Sequence, residues 1–318
     1  MNELKLFSGT ANPELAIKIA DKLGIELGDL TIRRFSDGEV HAKANQSVRG
    51  CDAFIVQSCQ TPVNEHLMEL LVIVDSFRRA SVRRVTVVMP YFCYSRQDKK
   101  LKPREPVTAK LVANLLTTAG ANRVLTMDLH AGQIMGFFDI PVDHLYSGPI
   151  IAEHIKNIIP LKNSVVVSPD VGGVVRARAL AEVLGRPLAI IIKRRPEPNK
   201  AEVTELIGDV HGKTAIMFDD MIDTGGSIIG GAEALLKRGA ADVYAACTHG
   251  VFSGNAVERL SASPIKKLIV TDTIPLPEGA GDTFSVVSVA DLLADAVQRI
   301  HSESSISEIF DKVWKAQS

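Results

Sequence analysis

The feature that most constrains this chain is the alternation of short apolar runs with longer amphipathic ones. Residues 4–7, 53–57, 85–89, 124–127, 165–168, 188–192, 215–218, 243–247 and 268–270 have the length and the aliphatic, often β-branched content of buried strands. Between them, residues 64–80, 108–118, 174–184 and 230–238 carry apolar side chains at helical spacing. Asn12-Pro13 adds an N-cap and a first-turn proline for a helix to about Leu23. Strands alternating with helical runs imply βαβ units and mainly parallel sheets with helices on both faces, an α/β fold.

With 318 residues, the chain exceeds what one core ordinarily holds, so two domains are expected. A 46% share of hydrophobic residues is enough to fill two cores. An internal echo points the same way. Gly120-Ala121 leads through a strand to His130, and Gly239-Ala240 leads at equal spacing to His249. The turn-rich stretch Tyr146-Ser147-Gly148-Pro149 sets the expected boundary, giving domains 1–147 and 148–303. Beyond the polar stretch Ser302-Glu303-Ser304-Ser305, an amphipathic helix (Ile306, Ile309, Phe310, Val313, Trp314) within residues 304–318 is expected to rejoin the first domain.

Charge and cysteine content exclude several classes. The 36 basic and 37 acidic side chains nearly cancel, so no global field gathers nucleic acid or an anionic membrane, and neither is expected as a partner. Any polyanion must be gripped locally. Cys51, Cys59, Cys93 and Cys247 are scattered without a CxxC pair, which suggests neither a disulfide frame nor a zinc site. The first residues do not read as a signal peptide and no run of ~18 apolar residues occurs, so a cytoplasmic location is expected.

The sharpest chemical signal is Met217-Phe218-Asp219-Asp220-Met221-Ile222-Asp223-Thr224-Gly225-Gly226-Ser227. An apolar strand runs into two adjacent carboxylates, then a third, then hydroxyls and glycines opening a helix. Ligands of open α/β sheets bind at the carboxyl ends of strands, and unhindered N–H groups at a helix start suit phosphate. Carboxylates repel phosphate, so Asp219 and Asp220 should face sugar hydroxyls or a metal. A phosphorylated sugar is the implied ligand. A capping turn would explain the glycines and the threonine but not three acids at the end of a buried strand.

That segment resembles the phosphoribosyl-diphosphate loop of type I phosphoribosyltransferases. Four further stretches resemble the ribose-phosphate diphosphokinase family of the phosphate-activated bacterial type: Phe35-Ser36-Asp37-Gly38-Glu39; Tyr94-Ser95-Arg96-Gln97-Asp98; Met127-Asp128-Leu129-His130; and Lys193-Arg194-Arg195-Pro196 with Asn199 and Ala201-Glu202-Val203. The resemblance spans nearly the whole chain. It implies two phosphoribosyltransferase-like domains and Mg²⁺-dependent transfer of the diphosphoryl group of ATP to O1 of ribose 5-phosphate.

The resemblance also assigns roles. Phe35, Asp37 and Glu39 match an adenine-recognising loop supplied by a neighbouring subunit; unaided, they read as an ordinary hairpin with solvated acids. Arg96 and Gln97, in a cationic loop with Lys99, Lys100, Lys102 and Arg104, match ATP contacts; the bland alternative is a solvated charged surface. His130 and Asp170 match magnesium-associated positions, and Asp170 is the easier ligand to justify because magnesium prefers oxygen. Asp139 and Asp143 read as structural. Lys193 and Arg195, in what the two prolines mark as a loop, match a lid that carries the catalytic cations. Ribose 5-phosphate then meets Arg195, Asp219, Asp220, Asp223, Thr224, Gly225, Gly226 and Ser227. Ser47, Arg49, Ser81, Lys100, Arg104, Ser305 and Ser307 match an inter-subunit site for inorganic phosphate or ADP as effectors, and the family assembles as a hexamer. The chain departs from the family pattern mildly, at Gly226-Ser227 and at Met135. A phosphoribosyltransferase and a non-catalytic regulatory subunit of the same family remain the alternatives.

Overall fold

The computed structural model describes residues 3–197 and 200–309. The chain divides into two compact units, Met1–Tyr146 with Ser288–Ser318, and Ser147–Val287.

The first unit runs β1 (Leu4–Ser8), α1 (Pro13–Leu23), β2 (Leu30–Arg34), β3 (Val40–Ala44), β4 (Asp52–Val56), α2 (Val63–Arg79), β5 (Arg84–Met89), α3 (Thr108–Ala119), β6 (Arg123–Met127), a 3-10 turn at Gly132–Phe137, and β7 (Val142–Leu145). Local signals fix α1 at both ends: Asn12 Oδ1 accepts the Leu15 N–H, Pro13 opens the first turn, and Gly24 closes it at φ 66°. Five parallel strands stand in the order β1-β4-β5-β6-β7. All five residues of β4 are buried, as expected of a strand covered on both faces. One layer of the core packs Phe7 edge-on to Phe77 among Ile55, Leu70, Val87 and Leu116. β2 and β3 form a separate antiparallel hairpin.

The second unit runs α4 (Gly148–Ile158), β8 (Ser164–Ser168), α5 (Val174–Leu184), β9 (Leu188–Glu197), β10 (Lys200–Ile207), β11 (Thr214–Ile222), α6 (Gly226–Lys237), β12 (Asp242–Gly250), α7 (Ala256–Ser261), β13 (Leu268–Thr271) and β14 (Phe284–Val287). Its seven strands lie in the order β10-β9-β8-β11-β12-β13-β14, parallel except for the β9–β10 pair. Apolar clusters lie on both faces of this sheet, one built around Met217 and Cys247 and the other around Ile216 and Ala246. The final described helix, α8 (Ala290–His301), belongs to the first unit.

Several expectations are corrected. Residues 288–303 belong with the first unit and not the second. α8 packs along α1, the Arg84 guanidinium bonds both the Asp52 carboxylate and the Ile300 carbonyl, and His301 Nδ1 lies 2.9 Å from Asp52 Oδ2. The proline-bearing segment after Ile192 continues as strand to Glu197, because β10 pairs with it antiparallel near the sheet edge. Of Met68, Leu71 and Val72, which helical spacing over residues 64–80 places in the core, Met68 is 55% exposed while Leu71 packs against the core; the buried residues of α2 are His66, Leu67, Glu69, Leu70, Ile73, Val74 and Phe77. The helix expected around Phe310 to Trp314 lies outside the described residues, as does Asn199.

The internal echo also paired strands that do not correspond. Element order matches β1-α1-β2-β3-β4-α2-β5-α3-β6-β7 with β8-α5-β9-β10-β11-α6-β12-α7-β13-β14, and the order β1-β4-β5-β6-β7 agrees with β8-β11-β12-β13-β14. β6 therefore corresponds to β13, whereas the echo had matched it to β12.

Candidate active site

β11 carries the second unit's acids near its carboxyl end, beyond its last pairing with β8 at Met217 and still beside β12. The Asp220 side chain is almost wholly buried and that of Asp219 is 23% exposed. Both are held by one residue, Arg176 on α5, whose Nη1 lies 2.8 Å from Asp219 Oδ1 and 3.0 Å from Asp220 Oδ1. Asp219 Oδ1 also accepts the Asp220 N–H at 2.9 Å. Burial, then the neighbouring Asp220 charge, push the Asp219 carboxyl up to about 7 in spite of Arg176. Burial, then the charge of Asp219, likewise push the Cys247 thiol up. Arg176 was not singled out in the sequence because it lies 43 residues before Asp219 and looks like any helix-surface arginine.

Asp170 is half-buried at the loop before α5, where Ser168 Oγ donates to its carbonyl and Gly173 N–H donates to its Oδ1 at 2.9 Å. Past β11, Gly225 turns the chain at φ 74° into α6, and Thr224, Gly226 and Ser227 are exposed while Gly225 is buried. Asp223 accepts the Ser253 N–H on its carbonyl at 3.2 Å. The second unit thus brings Asp170, Asp219, Asp220 and residues 223–227 to the carboxyl ends of β8 and β11.

Lys193 and Arg195 lie on β9, where Lys193 pairs with Val203 and Arg194 with Glu202 across the hairpin. Their side chains fall outside the described part of the chain.

In the first unit, a cavity of about 360 Å³ opens between the start of α2 and the segment after β5. Pro62, Val63, Asn64, Glu65, Tyr91, Cys93, Tyr94, Arg96 and Gln97 line it, so the two suspected ATP contacts share one hollow. Gln97 is tied down by its N–H to the Tyr94 carbonyl and by the Thr108 hydroxyl on its Oε1. Phe35, Asp37 and Glu39 stand apart, exposed on the tip of the β2–β3 hairpin, where Phe35 N–H donates to the Glu39 carbonyl and Asp37 Oδ1 accepts the Glu39 N–H. Arg34 braces this hairpin against Glu65 at 3.2 Å.

His130 is exposed three residues past β6. Asp143 pairs with Arg123 at 2.5 Å and Asp139 lies 3.9 Å from Lys110, which are structural contacts. Of the suspected effector residues, the exposed Ser47 and Arg49 neighbour Ser81, whose carbonyl accepts the Gly50 N–H, and the Ser305 and Ser307 hydroxyls bond each other at 2.8 Å. Lys100 and Arg104 lie exposed on the loop after β5. Met135 is 38% exposed on the 3-10 turn. Among the described residues no three His, Cys, Asp or Glu side chains gather as a metal cage, and no helix is long and apolar enough to cross a membrane. All four cysteines are free and buried.

Parallel α/β units, one ending its strand in paired acids and a glycine-hydroxyl loop at a helix start, define a protein of the phosphoribosyltransferase-like class. Residues 4–120 match the N-terminal domain of ribose phosphate pyrophosphokinase, and residues 195–311 match the phosphoribosyl synthetase-associated domain. The chain is similar to a ribose-phosphate pyrophosphokinase of Fusobacterium nucleatum, 55% identical over 98% of this chain and 99% of that one. It is equally similar to one from Bacillus subtilis, 55% identical over 96% and 97%. The crystal structure of phosphoribosylpyrophosphate synthetase from Mycobacterium smegmatis superposes with a TM-score of 0.90 at 44% identity, over 95% of this chain and all of that one. The chain belongs to the ribose-phosphate pyrophosphokinase family of enzymes.

Proposed function

We propose that this enzyme transfers the intact diphosphoryl group of ATP to O1 of ribose 5-phosphate, giving 5-phosphoribosyl 1-diphosphate and AMP for nucleotide biosynthesis. The observation that carries the reading is the end of β11, where an arginine-pinned acid pair is followed within five residues by an exposed hydroxyl-glycine turn opening α6. Asp219 and Asp220 accept the ribose hydroxyls. Asp223, Thr224, Gly225, Gly226 and Ser227 hold the 5-phosphate at the positive end of α6.

ATP is gripped by Arg96 and Gln97 in the first unit's cavity, with the adenine against Phe35, Asp37 and Glu39 of a neighbouring subunit in a homohexamer. The O1 hydroxyl attacks the β-phosphorus; the new O1–P bond forms as the bond to the α,β-bridging oxygen breaks, and AMP leaves with that oxygen. Lys193 and Arg195 neutralise the charge that develops on the transferred group, so catalysis is positioning plus electrostatics. Asp170 is a half-buried carboxylate, a hard oxygen donor of the type magnesium takes alongside water and substrate phosphates, and with His130 beside the nucleotide it would hold Mg²⁺. When bound, the ion offsets triphosphate charge. Inorganic phosphate and ADP act as effectors through Ser47, Arg49, Ser81, Lys100, Arg104, Ser305 and Ser307, and the protein works in the cytoplasm.

Phosphorus NMR of the protein with Mg²⁺, ATP and ribose 5-phosphate tests the reaction. AMP together with a sugar 1-diphosphate is expected. ADP as the sole nucleotide product would make it an ordinary kinase. No reaction, in phosphate buffer at high protein concentration, would favour a regulatory subunit. In the same assay Lys193→Ala should lower turnover by roughly a hundredfold or more while leaving calorimetric ribose 5-phosphate affinity within a few-fold. Lost binding with normal turnover per bound complex would remove Lys193 from the chemistry.

A further inference from the structure

The phosphate loop after β11 is held from behind by α7, and it needs a cation that neither β11 nor α6 supplies. The loop already carries Asp223, and Arg176 is occupied by the two acids of the strand end. A sugar phosphomonoester brings about −1.5 to −2 charges at neutral pH, whereas a helix N-terminus offers about half a positive charge. Those charges alone leave the bound state strongly negative.

Arg259 on α7 stands where the missing charge is required. Its Nη1 donates to the Thr224 carbonyl at 3.1 Å. Its Nη2 lies 3.7 Å from where a Cβ on Gly226 would stand, so the guanidinium borders the open face of the loop. It is exposed, and among the described residues no carboxylate pairs with it. The next residue, Leu260, is buried, and its Cγ would lie 3.1 Å from a Cβ on Gly225. The Thr224–Gly225 peptide is thus held at its oxygen by Arg259, while Gly225, at φ 74°, packs on Leu260. Because a trans peptide directs its N–H opposite to its C=O, fixing that oxygen fixes the direction of the Gly225 N–H.

We infer that Arg259 is a positioning and specificity residue for the phosphomonoester of the sugar substrate: it locks the Thr224–Gly225 peptide and supplies the positive charge beside the loop. The inference rests on reading the end of β11 as the ribose 5-phosphate site. It involves no contact with ATP.

Calorimetric titration of the full-length protein separates the two. Wild type, Arg259→Gln and Arg259→Lys are each titrated with ribose 5-phosphate and, separately, with ATP, alongside thermal melts and steady-state kinetics. Arg259→Gln should weaken ribose 5-phosphate roughly ten- to thirtyfold, the scale of a lost charge-assisted contact. ATP affinity should change less than about twofold and kcat at saturating sugar phosphate less than about threefold. Arg259→Lys, which keeps the charge but loses the fork, should recover part of the affinity. Unchanged ribose 5-phosphate affinity in Arg259→Gln overturns the role. So does equal weakening of both substrates with a lowered melting temperature, which would mean a structural residue. Failure of the wild type to bind ribose 5-phosphate strikes the reading of the site itself, and the role of Arg259 falls with it.

Discussion

β4 and β11 occupy the same place in the two units, each followed by a helix, a strand, a second helix and two more strands, yet their ends are built for opposite purposes. β4 runs into Gln57, Ser58 and Cys59, all fully buried, and the polar groups there satisfy one another. Gln57 Oε1 takes the Ala11 N–H, its Nε2 donates to Glu69, and buried Glu69 accepts both the N–H and the hydroxyl of Thr10. β11 ends in Asp219, Asp220 and an open turn in which Thr224, Gly226 and Ser227 reach solvent. The strand end is therefore closed by its own hydrogen bonds in one unit, where the cavity opens only further on at the start of α2, and left open in the other, and the open copy is the one that can take a sugar phosphate. Holding two acids together at an open end is costly, since neighbouring carboxylates repel. Arg176 offsets that cost; at the sealed end Arg34 lies 3.2 Å from Glu65 and 3.8 Å from the buried Glu69, but Glu69 is also satisfied by Thr10 and Gln57.

The largest effect should come from breaking that support. Arg176→Met leaves two largely buried carboxylates without their cation, and removing one partner of a buried ion pair costs about 3–5 kcal/mol, less here because the arginine and Asp219 are each about a fifth exposed. Ribose 5-phosphate affinity should fall by roughly a hundredfold and the second unit should melt earlier, while ATP affinity stays within about threefold. Arg176→Lys should fall between the two. If calorimetry shows both substrates bound normally by Arg176→Met, the acid pair does not need pinning and the contrast between the two strand ends loses its functional meaning.

The hairpins that follow α1 and α5 sharpen the comparison. β9 is paired into its sheet through β8, whereas β2 and β3 pair only with each other, and Phe35 at their tip is half exposed with its ring meeting His41 edge-on at 6.0 Å. An aromatic ring presented in this way contributes little to its own fold. Phe35→Ala should leave the melting temperature nearly unchanged and weaken ATP about tenfold, the scale of a lost aromatic stacking surface. Mixing it with Lys193→Ala under conditions of subunit exchange should restore part of the activity, since each variant would lend the other its intact half. Wild-type ATP affinity in Phe35→Ala would sink the adenine role, and absence of complementation would confine the loop to its own subunit.

What could be read from sequence follows the range of the interactions. The end of β11 was legible because strand, acids and glycine turn are contiguous, and α1 because its cap, proline and closing glycine are adjacent. Arg176 and Arg259 were not, since each reaches its partner across 43 and 35 residues and nothing local marks either helix face. β9 was cut short at Ile192 because prolines argue against strand. β10, rich in charged residues, gave no sign that it would pair there and carry the strand on to Glu197. β2 and β3 were visible only through the hairpin turn at Phe35–Glu39 and not among the apolar runs, for a related reason: each mixes half-buried and exposed residues and lacks the continuous apolar run of β4. α8 was assigned to the wrong unit because its anchors, Asp52 and Arg84, come from strands more than two hundred residues earlier.

The smallest effect tests the electrostatics of the open end directly. With its carboxyl held near 7, Asp219 is only partly ionised at neutral pH, and an ionised carboxylate is the better acceptor for two sugar hydroxyls. Between pH 6 and pH 8 the ionised fraction of such a group rises about tenfold, so ribose 5-phosphate affinity measured in chelator should improve by several-fold across that window. Part of any rise belongs to the sugar phosphate, whose second ionisation lies near 6. Asp219→Asn isolates the rest, because it should keep the phosphate's share below pH 7 and lose the steeper part above it. Stability moves in the opposite sense. A carboxyl whose folded pKa is raised opposes folding increasingly as pH climbs from the unfolded value near 4 to about 7, and the penalty is constant above that. Asp219→Asn should therefore gain melting temperature relative to wild type from pH 4 to pH 7 and level off beyond. A pH profile identical in wild type and variant would mean that Asp219 is ionised throughout, and that Arg176 balances the acid pair as completely as the buried hydrogen bonds balance the closed end of β4.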